Sequence, residues 1–451
     1  MLKPAILGFE AFLFVMICSG GDTNHFQMWK SLRNNPAGYL EKLVAGAAEP
    51  QSFRALGHKL WVLNNAMDIE PVFSNPALTT KAQLPLSLRW MVGDGTSLSD
   101  YGDEWDTWNQ LRPAKRRRLG PHLSALPEEV LVALWHLDVG ALPLVVDVYK
   151  LCYQAFFKMS WQELFKCDTD DATKKAVDDL KETAIVASWA ASSRHYTSYS
   201  DRYLSPSQNI RWPKRGKYSD QLLKRHLALD FLMNRAEEGL EADSITTDLR
   251  SWIDLQQLPP LESKRFLRFA LTGILLASFE NSATVAAWFL WLLAGHPEWQ
   301  ERIVAGDERA LEWCLNETLR LYPPVWSLVR QLSLSASLGE HMVEAGAFIW
   351  MSPWVQGRQQ LFWERADEFL PRRWENPTVP SGQFYPFSFG SRACPGESSA
   401  RFQIATWIRF LLRFYQFSRI ENVPEPRPFF GVTQRPEAEV WLHFIPRSRV
   451  D

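Results

Sequence analysis

One cysteine stands in a setting that suits chemistry. The segment FSFGSRACPGESSARFQ, residues 387–403, places Cys394 two residues after Arg392 and directly before a Pro-Gly pair. Residues 397–417 repeat apolar side chains at helical spacing, so the thiol precedes a predicted helix. A helix N-terminus and a nearby arginine both stabilise a thiolate. Cys394 is therefore predicted either to ligate or to react.

A charged network is the second candidate. The segment ETLRLYPPVW places Glu317 and Arg320 one helical turn apart, where they can pair on one face. The segment FLPRRW supplies Arg373, which can close the same network. Such a pair is usually exposed and contributes little to stability. This helix is apolar and runs into a Tyr-Pro-Pro sequence, which favours burial instead.

A long central stretch is the third candidate. Residues 259–295 are predicted to form one helix, on which small residues are followed by Glu280, Asn281 and Thr284 along a single stripe. A smooth stripe with one carboxylate suits a flat ligand. Close packing of two helices around a tolerated glutamate would produce the same pattern.

The elements that must position these residues are mostly helical. Helical patterns dominate from about residue 125 to 300, and strand signals lie near 328–352. Residues 57–73 read as strand, turn and helix, and residues 429–446 as a hairpin. We expect a mainly α protein of the α+β class, with a large helical domain and a smaller β-rich N-terminal lobe.

The composition limits which kinds of partner and which cellular compartment we expect for this protein. Apolar residues make up 46% of the 451 residues, and the 49 basic and 51 acidic side chains nearly cancel, which argues against nucleic acid as the main partner. The basic run 115–118 fits a phosphate, an acidic partner or, more commonly, a solvated helix face. The 21 tryptophans and 27 phenylalanines indicate wide apolar cavities or an aromatic core. Five scattered cysteines lack zinc or dithiol spacing, which favours a reducing, intracellular location.

The first 21 residues form an apolar segment of uncertain role, and residues 22–451 are expected to be one domain. Its apolar run of about 14 residues would span roughly 21 Å as a helix, against about 30 Å for a hydrocarbon core. A secretory signal is disfavoured by Glu10 and by the lack of a small-residue cleavage site. A shallow membrane contact and a segment lying on the protein's own surface remain, so we expect a cytoplasmic protein with or without membrane association.

Taken in chain order, these motifs resemble the cytochrome P450 family of haem-thiolate enzymes. The family's Phe-x-x-Gly-x-Arg-x-Cys-x-Gly motif is matched by Phe387, Gly390, Arg392, Cys394 and Gly396. Its Glu-x-x-Arg motif is matched by Glu317 and Arg320, and its Phe-x-Pro-x-Arg-Trp segment by Phe369, Pro371, Arg373 and Trp374. The likeness extends over residues 35–445.

The resemblance implies a bound haem b whose iron is ligated by Cys394. Electron donation from such a thiolate favours O–O cleavage, and Phe387 would shield the sulfur. Arg392 and Arg330 match the family's propionate contacts. Trp108 and Arg112 match a further one, although Pro113 interrupts that helix and Arg116 is the alternative.

The central helix departs from the family. Hydroxylases of this family carry an acid followed by an alcohol, usually threonine, where this chain has Glu280 and Asn281. An amide binds water but does not relay a proton as a hydroxyl does. The departure puts ordinary hydroxylation in doubt and leaves haem binding untouched.

The leading interpretation is a haem-thiolate oxidoreductase of the monooxygenase type that oxidises a lipophilic or aromatic small molecule. The runner-up is oxidative coupling of aromatic substrates or rearrangement of a peroxide at the same haem. A thiol enzyme with a histidine base and a haem sensor without turnover are further alternatives; the candidate bases are His122, His136 and His296.

Electrons are expected from a separate ferredoxin- or flavodoxin-type donor, or from peroxide. Arg401, Arg409 and Arg413 follow Cys394 on the next helix and would dock an acidic partner or remain solvated. Pocket walls are expected from residues 88–104, 185–220, 270–281 and 325–329.

Overall fold

The computed structural model describes residues 35–47, 49–55, 58–81, 144–165, 170–177, 245–255 and 280–447, without 378, 381, 431 and 432, together with single positions between 179 and 279. Everything below refers to these residues.

The amino-terminal part contains a helix, a hairpin and a second helix. These are α1 (Pro36–Val44), β1 (Gln51–Ala55), β2 (His58–Leu63), α2 (Ala66–Ser74) and β3 (Thr79–Lys81). Asn35 and Asn65 cap the two helices, because each side chain accepts a hydrogen bond from a backbone N–H of the first turn, at 2.9 and 3.0 Å. The strand, turn and helix predicted for residues 57–73 are confirmed from His58 onward.

The central part is helical. It contains β4 (Val145–Asp147), α3 (Val148–Phe165), α4 (Ile245–Leu255), α5 (Glu280–Ala294), α6 (Pro297–Val304) and α7 (Glu308–Leu321). The continuously described part of the predicted long helix begins at Glu280, after Phe279, which is not helical. Residues 282–294 of α5 are all buried, and α5 packs against α3, α7 and the helix formed by Glu397–Phe414.

The carboxyl-terminal part alternates short strands and helices. It contains β5 (Leu328–Leu332), β6 (Ala336–Leu338), β7 (His341–Val343), β8 (Phe348–Met351), α8 (Pro353–Gln356), α9 (Glu397–Phe414), β9 (Tyr415–Arg419), β10 (Pro428–Phe430), β11 (Gln434–Pro436) and β12 (Trp441–Pro446). Two 3-10 turns, Pro371–Trp374 and Gly390–Arg392, lie between α8 and α9.

The largest sheet joins distant parts of the chain. Its strand order is β1-β2-β8-β5-β3, with β2 and β8 parallel and the other pairs antiparallel. The α+β class with a small β-rich region is confirmed. That region is not purely amino-terminal, because two of its five strands come from residues 328–351.

Two predicted boundaries were wrong at the carboxyl end. The helix after Cys394 ends at Phe414 rather than Phe417, because Tyr415 and Phe417 bury alternate side chains as part of β9. The tail is not one hairpin: β10 pairs with β11, whereas β12 pairs with β4 and β9. No helix in the described part of the chain is both long and apolar enough to span a bilayer.

Candidate functional site

The loop before α9 fixes Cys394 through its backbone. The Cys394 N–H donates to the Phe387 carbonyl at 2.8 Å, and the Ala393 N–H donates to the Gly390 carbonyl at 3.2 Å. Glu397 then begins α9. These two backbone hydrogen bonds hold the loop so that the thiol lies just ahead of the first turn of α9, as the sequence predicts.

Two glycines shape the surroundings of the thiol. Gly390 has φ +67°, and a Cβ there would lie 2.2 Å from the Phe73 carbonyl oxygen at the end of α2. A side chain at 390 is therefore excluded both by conformation and by contact. A Cβ on Gly396 would lie 3.8 Å from the Cys394 Sγ and would meet no other described atom within 4 Å. Gly396 therefore keeps a side chain away from the neighbourhood of the sulfur.

Cys394 differs from the two other cysteines that the structure describes. Cys152 is fully buried, and burial raises the pKa of its thiol to about 12, although the Trp407 indole N–H lies 3.3 Å from the sulfur. Burial also raises the pKa of Cys314. Cys394 is only partly buried and precedes a helix N-terminus. Among the described thiols, it is the one whose setting suits a thiolate ligand.

Arg330 reaches the same corner of the molecule. It lies on β5 with 6% of its surface exposed, and its guanidinium carbon is 5.4 Å from the Phe73 ring centre. Phe73 is also the residue against which Gly390 packs. Arg392 ends the 3-10 turn two residues before Cys394 and is partly buried. Two candidate propionate partners therefore lie near the cysteine loop.

Several predicted residues lie outside the described part of the chain. These are residues 1–21, 88–104 and 185–220, together with Trp108, Arg112, Arg116, His122 and His136.

Glu317 is the centre of a saturated network. Its Oε1 accepts hydrogen bonds from Arg320 Nη2 at 2.7 Å, Arg373 Nε at 2.9 Å and the Leu370 N–H at 2.9 Å. Its Oε2 accepts from Arg320 Nε and Trp374 Nε1, both at 2.9 Å. The side chains of Glu317 and Arg320 are both 0% exposed. The predicted burial of the pair and its closure by Arg373 are confirmed.

Arg320 is equally well matched. Its Nη1 donates to the Gly357 and Ala366 carbonyls, the latter at 2.6 Å, and its Nη2 donates to the Glu368 carbonyl at 3.0 Å. These carbonyls and the Trp374 indole were not anticipated as members of the network. The tryptophan that ends the FLPRRW segment could have predicted the indole partner of Glu317. The carbonyl partners of Arg320 could not be predicted, because they depend on the path of a loop and any residue type can supply a backbone carbonyl.

The central helix presents polar atoms without such partners. The Asn281 amide nitrogen donates to the Ala277 carbonyl at 3.3 Å, while its buried Oδ1 has no hydrogen bond to a described residue. The Thr284 hydroxyl is fully buried and lies near the Tyr149 phenol of α3 without reaching hydrogen-bond geometry. Burial, followed by the nearby Glu280 carboxylate, raises the pKa of Tyr149 to about 12.

The basic residues on α9 already have partners. Arg401 pairs with Glu397 at 3.0 Å and Asn316 at 2.8 Å, and its guanidinium lies 5.1 Å from the Phe387 ring centre. Arg409 pairs with Glu308. An acidic docking partner would have to compete with these carboxylates.

His296 does not support the thiol-enzyme alternative. Its Nδ1 lies 2.8 Å from the Leu292 carbonyl oxygen, and its ring packs 4.9 Å from that of Phe369. It lines a cleft of about 690 Å³ between α6 and residues 365–372, and none of the predicted catalytic or haem-binding residues borders that cleft.

The fold matches that of solved cytochrome P450 structures. Residues 260–442 match the cytochrome P450 family model, which supports the resemblance to that family. The crystal structure of CYP175A1 from Thermus thermophilus superposes with a TM-score of 0.69 at 22% identity, covering 94% of this chain and 98% of that one. A six-coordinated cytochrome P450 from another strain of Thermus thermophilus gives a TM-score of 0.62 at 22% identity, over 86% of this chain and 93% of that one. These structures establish the fold alone.

Curated relatives match a shorter segment. The chloroplastic protein LUTEIN DEFICIENT 5 of Arabidopsis thaliana is 32% identical over 193 residues, covering 38% of this chain and 32% of the relative. Mouse lanosterol 14-alpha demethylase is 30% identical over 173 residues, covering 34% of each. The chain thus spans about a third of the length of these relatives. Haem b with cysteine-thiolate ligation is the cofactor of the family, and the loop of Cys394 fits it.

Proposed function

We propose that the chain is a haem-thiolate oxidoreductase of the monooxygenase type, which oxidises a lipophilic or aromatic small molecule with activated oxygen. The observation that carries the proposal is the position of Cys394, which is partly buried and is held ahead of α9 by the hydrogen bond from its N–H to the Phe387 carbonyl. Haem, when bound, supplies the redox chemistry, and thiolate ligation favours O–O cleavage.

The protein's own residues have separate tasks in this proposal. Cys394 holds the iron, and the backbone of residues 387–394 fixes the sulfur so that its orientation does not drift. Arg330 and Arg392 neutralise the propionates. Glu280, the carboxylate in the first turn of α5, holds and passes protons.

Oxidative coupling or peroxide rearrangement is the second candidate, and Asn281 favours it. The amide donates to the helix backbone and carries no proton that it can relay, and neither of these reactions requires a full relay. A separate ferredoxin- or flavodoxin-type donor, or peroxide, is part of the proposal, as is a cytoplasmic location with or without shallow membrane contact.

The test is an optical spectrum of the reduced protein with carbon monoxide. Wild type should show the carbonyl complex typical of thiolate ligation. Cys394→Ala should lose it, whereas the matched control Cys314→Ala should keep it, because Cys314 is buried in α7. An unchanged spectrum in Cys394→Ala would contradict the proposal. Spectral shifts on adding lipophilic and aromatic compounds then identify the substrate class, and product analysis separates monooxygenation from coupling.

A further inference from the structure

An aromatic path runs from the central helix to α1. The Trp288 ring of α5 is stacked on Tyr322 at 3.9 Å and 11°, and Tyr322 meets Trp354 of α8 edge-on at 6.0 Å. The Trp354 indole N–H donates to Glu41 Oε1 on α1 at 2.7 Å. Glu41 is partly exposed, whereas Trp288 is fully buried. The path therefore connects the protein interior with a carboxylate at the surface.

The two ends of the path differ in what they can do with a proton. The Trp288 indole N–H has no acceptor among the described residues. Loss of an electron there leaves a buried cation, which is costly. At Trp354 the proton can move to the Glu41 carboxylate, so that loss of an electron leaves a neutral ring and a neutral acid. A positive charge that starts at Trp288 is therefore better accommodated at Trp354.

Both tryptophans that contact Tyr322 have a guanidinium against the ring, so the presence of a proton acceptor decides which of them can lose an electron. The Arg358 guanidinium carbon lies 3.3 Å from the Trp354 ring centre, which disfavours a cationic indole and requires proton loss to Glu41. Tyr322 lies between the two indoles, stacked on one and edge-on to the other, so it is the bridge between them. Trp291, which also contacts Tyr322 at 6.4 Å, has the Arg419 guanidinium 4.0 Å from its ring and no described carboxylate on its indole N–H.

We propose that Trp288, Tyr322 and Trp354 carry oxidising equivalents away from the haem when peroxide oxidises it and no substrate is bound, with Glu41 as the proton acceptor. This rests on the proposed function, since Trp288 follows Asn281 by seven residues on the same face of α5. Trp354 loses one electron through Tyr322 and Trp288 to the peroxide-oxidised haem, and its N–H proton passes to Glu41. A small-molecule reductant such as ascorbate returns the electron, and Glu41 returns the proton.

The experiment treats the haem-loaded protein with hydrogen peroxide, without substrate or ascorbate, and measures oxidised tryptophan by peptide mass spectrometry. We expect the Trp354 peptide to be oxidised more than the Trp291 peptide, and ascorbate to suppress the difference. In Trp288→Phe and in Glu41→Gln, oxidation of Trp354 should fall to the level at Trp291. The control Trp291→Phe removes an equally aromatic neighbour and should leave Trp354 oxidation unchanged.

Glu41→Gln keeps the test decisive even if the core variant fails to fold, because residue 41 is partly exposed and glutamine can still accept the indole bond. Undiminished Trp354 oxidation in Glu41→Gln would overturn the path, as would equal oxidation of Trp291 and Trp354 in wild type. The carbonyl spectrum is recorded first: its absence contradicts the proposed function and removes the oxidant, whereas its presence with uniform tryptophan oxidation contradicts the path alone.

Discussion

The Glu317 network and the polar stripe of α5 both contain buried polar atoms, but these atoms are hydrogen-bonded in the network and lack partners on the stripe. Each oxygen of Glu317 accepts at least two hydrogen bonds, and Arg320 donates to three carbonyls besides. On α5, the Thr284 hydroxyl and the Asn281 Oδ1 have no hydrogen bond within the described structure. A buried polar atom without a partner carries its full desolvation cost. The network therefore serves folding, and the stripe is arranged for something other than stability.

The largest effect is expected when the saturated region is broken. Glu317→Gln leaves the Arg320 guanidinium buried without its counter-charge, which costs about 3–5 kcal/mol for a buried pair. We expect a large fall in the denaturant midpoint and loss of haem-loaded protein. The control is Glu368→Gln, which removes the carboxylate of the exposed i,i+3 pair with Arg365 and should barely change the midpoint. Equal midpoints for the two variants would show that Glu317 behaves as a surface residue.

The sequence was sufficient for the ion pairs of the first region and insufficient for the second region. The spacing of Glu317 and Arg320 predicts their pairing on one helix face, and the FLPRRW segment supplies Arg373. The carbonyl partners of Arg320 and the Trp374 indole were not predicted.

The polar stripe on α5 could be predicted from the sequence. The periodicity of side chains does not reveal which other helix or strand packs against that stripe. Tyr149 comes from a helix 131 residues before Glu280, and only tertiary packing brings α3 against α5.

The same contrast explains the boundary errors. Apolar side chains continue through Tyr415 and Phe417, and their spacing there is compatible with either a helix or a strand. Residues 415–419 form a strand because they pair with β12. The caps of α1 and α2 were readable because Asn and the following backbone are adjacent in sequence.

A pH-dependent loss of stability is expected on the α5 side. Tyr149 has an ordinary pKa of 10.0, which the folded state raises to about 12 through burial and the Glu280 carboxylate. The folded protein thus binds this proton more tightly, so its stabilising contribution is complete below pH 10 and is lost as pH rises towards 12. Two pKa units correspond to about 3 kcal/mol.

Tyr149→Phe should remove that part of the alkaline loss. The measurement is the free energy of unfolding between pH 7 and pH 11 for both proteins. Their slopes should agree at neutral pH and diverge above pH 10, where wild type should fall more steeply. Parallel slopes throughout would mean that the phenol is not held protonated by its surroundings.

A smaller effect separates two buried threonines. The Thr318 hydroxyl on α7 donates to the Cys314 carbonyl at 2.8 Å, whereas Thr284 on α5 has no hydrogen bond, and both residues are 0% exposed. Thr318→Val should destabilise by about 1 kcal/mol, the net worth of a typical hydrogen bond. Thr284→Val should be neutral or stabilising in the ligand-free protein, because no bond is lost and a desolvated hydroxyl is removed. Thermal midpoints compare the two, and an equal loss would mean that Thr284 is as well satisfied as Thr318.

The smallest change is expected from Asn281→Thr. A threonine hydroxyl within a helix commonly donates to the carbonyl four residues earlier, as Thr318 does to Cys314 here. At position 281 that carbonyl belongs to Ala277, which already accepts from the Asn281 amide. The new hydroxyl would therefore be held by the backbone in the same way, and would add little to proton delivery.

Glu280→Gln removes the only carboxylate of α5 and should reduce product per electron more strongly. The measurement is product formed and peroxide released per electron for wild type and both variants. A harmless Glu280→Gln together with a large gain from Asn281→Thr would reverse these roles, and would indicate a hydroxylase limited by the residue at 281.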